Sequence, residues 1–154
     1  GLPGLRVGWI VGPEEIVKRT WPYHDYTTIS PSALSDRLAT LALSPGKRER
    51  ILERTRGILK ANYPALEGWL RAHRGLFSFL PPKAGAIVFV RYGYGVPSVE
   101  LVERLIREQS VLVVPGDHFE TEGYLRFGYG SDQGYLLKAL ARVDETLKKI
   151  GGTW

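Results

Sequence analysis

Residues 111–130, VLVVPGDHFETEGYLRFGYG, read as strand, turn, strand. Val111 to Val114 is a continuous apolar run, and Pro115-Gly116-Asp117 interrupts it with turn residues. Tyr124 to Tyr129 alternates around a single arginine, Arg126. On a strand, Leu125 and Phe127 point one way and Arg126 the other. With Leu125 and Phe127 in the core, the sheet braces the Arg126 stem. The guanidinium fork then matches one planar carboxylate. The competing reading is a solvated strand arginine.

The totals bound what surrounds this stretch. The chain has 154 residues, 44% hydrophobic and 24% charged, enough for one globular domain or two small ones. No apolar run approaches the roughly 20 residues that span a bilayer. No secretory pattern opens the chain. With no cysteine, neither a disulfide nor a thiolate metal site is available. The three histidines, at 24, 73 and 118, lack zinc-ligand spacing, and no metal is expected. The net charge of +5 is spread along helices beside glutamates, which reads as a solvated surface. There is no methionine, and the chain opens on apolar Gly-Leu-Pro-Gly-Leu, so a C-terminal piece of a longer protein is expected. Fourteen arginines against seven lysines, with Asn62 the sole asparagine, point weakly to a heat-adapted source.

In chain order, Gly1 to Gly12 reads as a glycine-proline turn and then a strand. Leu5, Val7, Trp9 and Val11 alternate, and Arg6 sits beside the turn, a good place for an anion. Pro13 to Arg19 reads as a short helix with Glu14 and Glu15 near its positive end, and Trp21 to Thr28 as an aromatic, hydroxyl-rich loop. Ser30 reads as an N-cap with Pro31 at N1. A long helix follows Ser44-Pro45-Gly46, and Pro64 is expected to kink or break it. Beyond residue 80 the pattern is β-α-β-β-α. Ala86 to Tyr92 forms the first strand, Ser98 caps the first helix, and Ser131 caps a final helix ending at Gly151. Trp154 is a tail residue with no assigned role.

The two strand arginines, one behind GLPGL and one in GYLRFGYG, together resemble the fold-type I pyridoxal-phosphate-dependent aminotransferases of class I/II. That class includes aspartate and histidinol-phosphate aminotransferases. Residues 1–9 resemble the family run that closely follows the cofactor lysine, and Arg6 falls on its phosphate-binding arginine. Val113 to Phe119 resembles the Val-Val-Pro-Gly-x-x-Phe turn, and Arg126 falls on the arginine that clamps the substrate α-carboxylate. Ala84 to Val90 resembles the strand entering the family's small domain.

The resemblance implies an α/β fold with an α+β small domain. Residues 1–45 would hold the last strand and helices of the cofactor-binding large domain, 46–80 a long bent linking helix, and 81–154 the small domain. It implies pyridoxal phosphate as cofactor and amino-group transfer between an amino acid and a 2-keto acid. Arg6, Thr28 and Ser30 would bind cofactor and Arg126 substrate. For Ser30, capping a helix competes with reaching a partner subunit's cofactor phosphate. The Schiff-base lysine is expected upstream of Gly1, leaving this chain without a catalytic residue of its own and inert alone. A homodimer in the cytoplasm, without membrane or nucleic-acid partners, completes the expectation. Alternatives are another enzyme of the fold (a lyase, decarboxylase or synthase), a basic nucleic-acid-binding module, or a non-enzymatic interaction domain.

Overall fold

A computed structural model describes residues 2–73 and 75–151; the expectations placed on Gly1 and Trp154 lie outside them. The chain forms two compact units, Gly1–Thr55 and Arg56–Trp154, divided inside one long helix.

The first unit opens with a 3-10 turn at Pro3–Leu5. Residues 6–13 then run without regular structure, where the alternation predicts a strand. A strand exists by pairing, and no neighbouring strand among the described residues takes up this backbone. Helix α1 spans Glu14–His24 and runs through Pro22 into the expected loop. Helix α2 spans Ala33–Leu43 with Ser32 as N-cap, two residues beyond the expected Ser30. Helix α3, Lys47–Ala72, begins in this unit.

Pro64 lies inside α3 without breaking it. Losing one backbone hydrogen bond is tolerated because the helix is held by packing: Leu66 and Leu70 are 0% and 1% exposed.

The second unit is an antiparallel sheet covered on one face by helices. Its strands are β1 Phe77–Phe79, β2 Ile87–Tyr92, β3 Val114–Pro115 and β4 Tyr124–Gly128, in spatial order β1-β2-β4-β3. Helices α4, Ser98–Gln109, and α5, Gln133–Gly151, follow β2 and β4. Strand β1 is additional to the expected β-α-β-β-α pattern. Val88 and Val90 of β2 face the core with Leu125 and Phe127 of β4, against Leu101, Leu105, Leu140, Val143 and Leu147 of the helices. Phe89 and Arg126 are cross-strand partners on the opposite face.

The apolar run at 111–114 keeps its period of two, with Val111 and Val113 buried and Leu112 exposed. Only Val114 and Pro115 pair with β4. Left-handed Ser110 ends α4, and the Val111 N–H donates to Leu105 O. The start of the run is therefore tied to the helix and not to the ladder.

The sole asparagine locks α3 to the segment after β4. Asn62, 1% exposed, donates both amide hydrogens, to Tyr129 O at 2.8 Å and Ser131 O at 2.7 Å. Its loss leaves two carbonyls without a donor. Asn62→Ala in the full-length protein is expected to cost about 3 kcal/mol by urea unfolding. An unchanged midpoint would mean water replaces both bonds.

Candidate functional site

Arg6 lies in the first unit and Arg126 in the second, and their surroundings differ.

In the first unit, Arg6 closes the 3-10 turn in the left-handed conformation, φ 53°, its N–H on Pro3 O at 3.2 Å. A non-glycine residue there is uncommon and is held by its surroundings. The loop after α1 folds back on itself: the N–H groups of Thr28 and Ile29 donate to His24 O at 3.2 and 3.1 Å, and Ile29 is also left-handed, φ 61°. The Ser30 N–H reaches Thr28 O at 2.6 Å. Arg6, His24, Thr28, Ser30, Ser32 and Ser35 thereby line one groove of ≈ 470 Å³, with no acidic residue in its wall. The Ser32 side chain makes no capping bond, so its hydroxyl and the positive end of α2 both stand at the groove. His24 Nδ1 is buried without a hydrogen-bond partner, and its Nε2 lies 3.4 Å from Thr28 Oγ1. Arg6 has no ion pair among the described residues. A cation, several hydroxyls and a helix N-terminus fit a phosphate dianion.

The structure thus brings Arg6, Thr28 and Ser30 to a single groove and removes the capping role from Ser30. Sequence reasoning missed His24, Ser32 and Ser35. Ser32 and Ser35 share a helix face by their spacing, which could have signalled them; nothing in the sequence marks His24.

In the second unit, Arg126 is half-buried on the sheet face opposite the core. Its Cζ lies 5.8 Å from the centroid of the Phe119 ring. It too has no ion pair among the described residues. Phe119 ends the 3-10 turn Gly116–Phe119, and Asp117 and His118 within that turn are exposed.

The turn is fastened to α4 through Glu122. One carboxylate oxygen accepts from Ser98 N–H at 2.7 Å, Gly123 N–H at 2.8 Å and Tyr92 OH at 3.3 Å. The other accepts from Ser98 Oγ at 3.0 Å, and that hydroxyl accepts from the Asp117 N–H at 3.2 Å. The backbone N–H groups of Gly123 and Ser98 hold the Glu122 carboxyl below the usual range. Burial, with the Glu122 charge beside it, pushes the Tyr92 phenol up. Pro97, the N-cap of α4, offers no side-chain cap, so Glu122 caps the helix from 24 residues downstream. Sequence spacing cannot show a cap supplied from so far away.

Among the described residues no group of three or more His, Cys, Asp or Glu is placed to hold a metal ion. Among the described residues no helix is long and apolar enough to cross a membrane.

Comparison with known proteins supplies the family. Capreomycidine synthase of Streptomyces vinaceus is 32% identical over 147 residues, a match that takes in 96% of this chain and 37% of that protein. The crystal structure of a PLP-dependent aminotransferase from Streptococcus suis 89-1591 superposes with a TM-score of 0.85 at 33% identity, covering 99% of this chain and 40% of that one. The crystal structure of the PLP-dependent cyclase OrfR superposes with a TM-score of 0.82 at 28% identity, covering 97% and 40%. The chain therefore spans under half the length of these relatives. The α/β architecture with its four-stranded antiparallel sheet is the one these neighbours share. The family model for aminotransferases of class I and II matches residues 1–143, and the chain belongs to that family.

Proposed function

We propose that the chain is the C-terminal part of a pyridoxal-phosphate-dependent aminotransferase that moves an amino group between an amino acid and a 2-keto acid. The observation that carries this reading is the setting of two arginines: Arg6 lines a groove with Thr28, Ser30 and Ser32 and no acidic residue, and Arg126 lies on the sheet face against the Phe119 ring.

Arg6 forks onto the cofactor phosphate, and Thr28 and Ser30 add neutral hydroxyl donors to it. The start of α2 adds its positive end to the same groove, whose wall carries no acidic competitor for an anion. Arg126 holds the α-carboxylate of the amino acid and so fixes how the substrate is turned. Pyridoxal phosphate, when bound, would supply an electron sink for the Cα–H bond that breaks. None of the described residues is assigned the transfer of the proton. A homodimeric, cytoplasmic parent belongs to the same reading and rests on the family alone.

A second reading, a synthase or cyclase using the same cofactor, is favoured by the likeness to capreomycidine synthase and to OrfR. The need for an amino acceptor separates the two. The full-length protein, given pyridoxal phosphate and an amino acid, should turn over only when a 2-keto acid is added, and the acceptor's amino acid should appear in equal amount. Sustained turnover with no acceptor would favour the second reading; no turnover with any amino acid would end both.

Arg6→Ala in the same protein is expected to weaken pyridoxal phosphate binding about 100-fold, as befits the loss of charge-assisted bonds. Equilibrium dialysis measures it, and unaltered affinity would take the phosphate away from this groove.

A further inference from the structure

What Arg126 touches is a ring. The guanidinium carbon lies 5.8 Å from the centroid of Phe119, within the range at which a ring face attracts a cation. The ring is itself placed. Phe89 meets it edge-on, centroids 5.9 Å apart at 86°, and Tyr124 stacks on Phe89 at 4.9 Å and 14°. These rings and Arg126 share the uncovered sheet face, where Phe89 is the cross-strand partner of Arg126. The turn carrying Phe119 is closed by the Glu120 N–H on Asp117 O at 2.9 Å and the Thr121 N–H on Gly116 O at 3.1 Å. The Ser98 hydroxyl ties that turn to α4.

Phe119 is 49% exposed, so burial alone does not account for an aromatic residue there. An arginine without an ion pair keeps many rotamers, and a ligand must freeze them on binding. We propose that Phe119 is a positioning residue for Arg126. Its ring face sets the guanidinium before the carboxylate arrives, and the Phe89–Tyr124 stack keeps the ring in place.

The inference rests on the reading of Arg126 as the carboxylate ligand. The test therefore runs Phe119→Leu, Phe119→Tyr and Arg126→Ala side by side in the full-length protein with its cofactor. Leucine keeps apolar bulk and loses the ring's charge distribution; tyrosine keeps both. Phe119→Leu should raise KM for the amino acid about fivefold, the size of a half-exposed cation–π contact, with kcat within twofold. Phe119→Tyr should restore the original KM. In an Arg126→Ala background Phe119→Leu should have no further effect on KM. A KM unmoved by Phe119→Leu, or moved equally by Phe119→Tyr, overturns the positioning role. If Arg126→Ala itself leaves KM unmoved, the reading of Arg126 fails instead.

Discussion

Arg126→Ala in the full-length protein is expected to lower kcat/KM for the amino acid by roughly 10³-fold, about 4 kcal/mol of lost binding to the reacting state. Both parameters should change. KM rises because two parallel charge-assisted bonds to the carboxylate are gone. The turnover number falls because an unclamped amino acid samples orientations in which the bond to be broken is badly aligned. Folding should be unaffected. The side chain is only half-buried, forms no ion pair among the described residues, and loses little beyond its contact with Phe119. Arg126→Lys should fall between, since an ammonium keeps the charge but cannot fork. Steady-state kinetics beside an unfolding curve separates these effects. Kinetics unchanged by Arg126→Ala would return the residue to a solvated strand arginine.

Gly116→Ala is expected to be the most damaging single methyl in the second unit. A Cβ built there collides with the Thr121 carbonyl oxygen and lies 2.8 Å from both Tyr124 O and Tyr124 Cβ. None of these atoms is the end of a flexible side chain, so relief requires moving either the turn or the start of β4. The requirement is for close approach of two backbone segments, not for an unusual φ. The preceding residue, Pro115, is already in register with Leu125 of the core. Overpacking of this kind is expected to cost about 3 kcal/mol or more in urea unfolding. It should also raise KM for the amino acid, because the displaced segments carry Phe119 and Arg126. A variant as stable as the parent, with the same KM, would show that the turn does not press on β4.

The face assignment of β4 was legible in the sequence because strand periodicity is strict. Leu125 and Phe127 alternate with Arg126 in the structure as they do in the pattern. On α4 the spacing marks Val99, Val102, Leu105 and Ile106, of which Val102 and Leu105 are buried and Ile106 is exposed, while Leu101 joins the core instead. Helix α5 was legible through its helical period, with Leu136, Leu140, Val143 and Leu147 spaced to one buried side. Strand β1 was not. Three residues ahead of Pro81-Pro82 are too few to show a period, and only pairing with β2 defines them. At residues 6–13 the pattern was present and the ladder was not, since alternation records which side chains could share a face and not whether a second strand lies alongside. At Pro64 a local rule gave way to packing of the helix on the core.

The candidate site divided in the same way. Arg6 and Arg126 stood out as lone cations in turn and strand contexts. Thr28 and Ser30 came with the resemblance, and the structure gathers them with Arg6 in one groove. The supporting residues were hidden. Glu122 caps a helix that begins 24 residues earlier, and Phe119 reaches Arg126 only after the chain has turned. Such roles depend on three-dimensional return of the chain, which neither composition nor period encodes.

The most direct test compares an amino acid substrate with the amine that lacks its carboxylate, in the unaltered full-length protein and in Arg126→Ala. The unaltered protein should prefer the amino acid by roughly 10³-fold in kcat/KM, and Arg126→Ala should treat the two alike. If Arg126→Ala still rejects the amine as strongly as the unaltered protein does, the carboxylate is recognised elsewhere and the account of Arg126 is wrong.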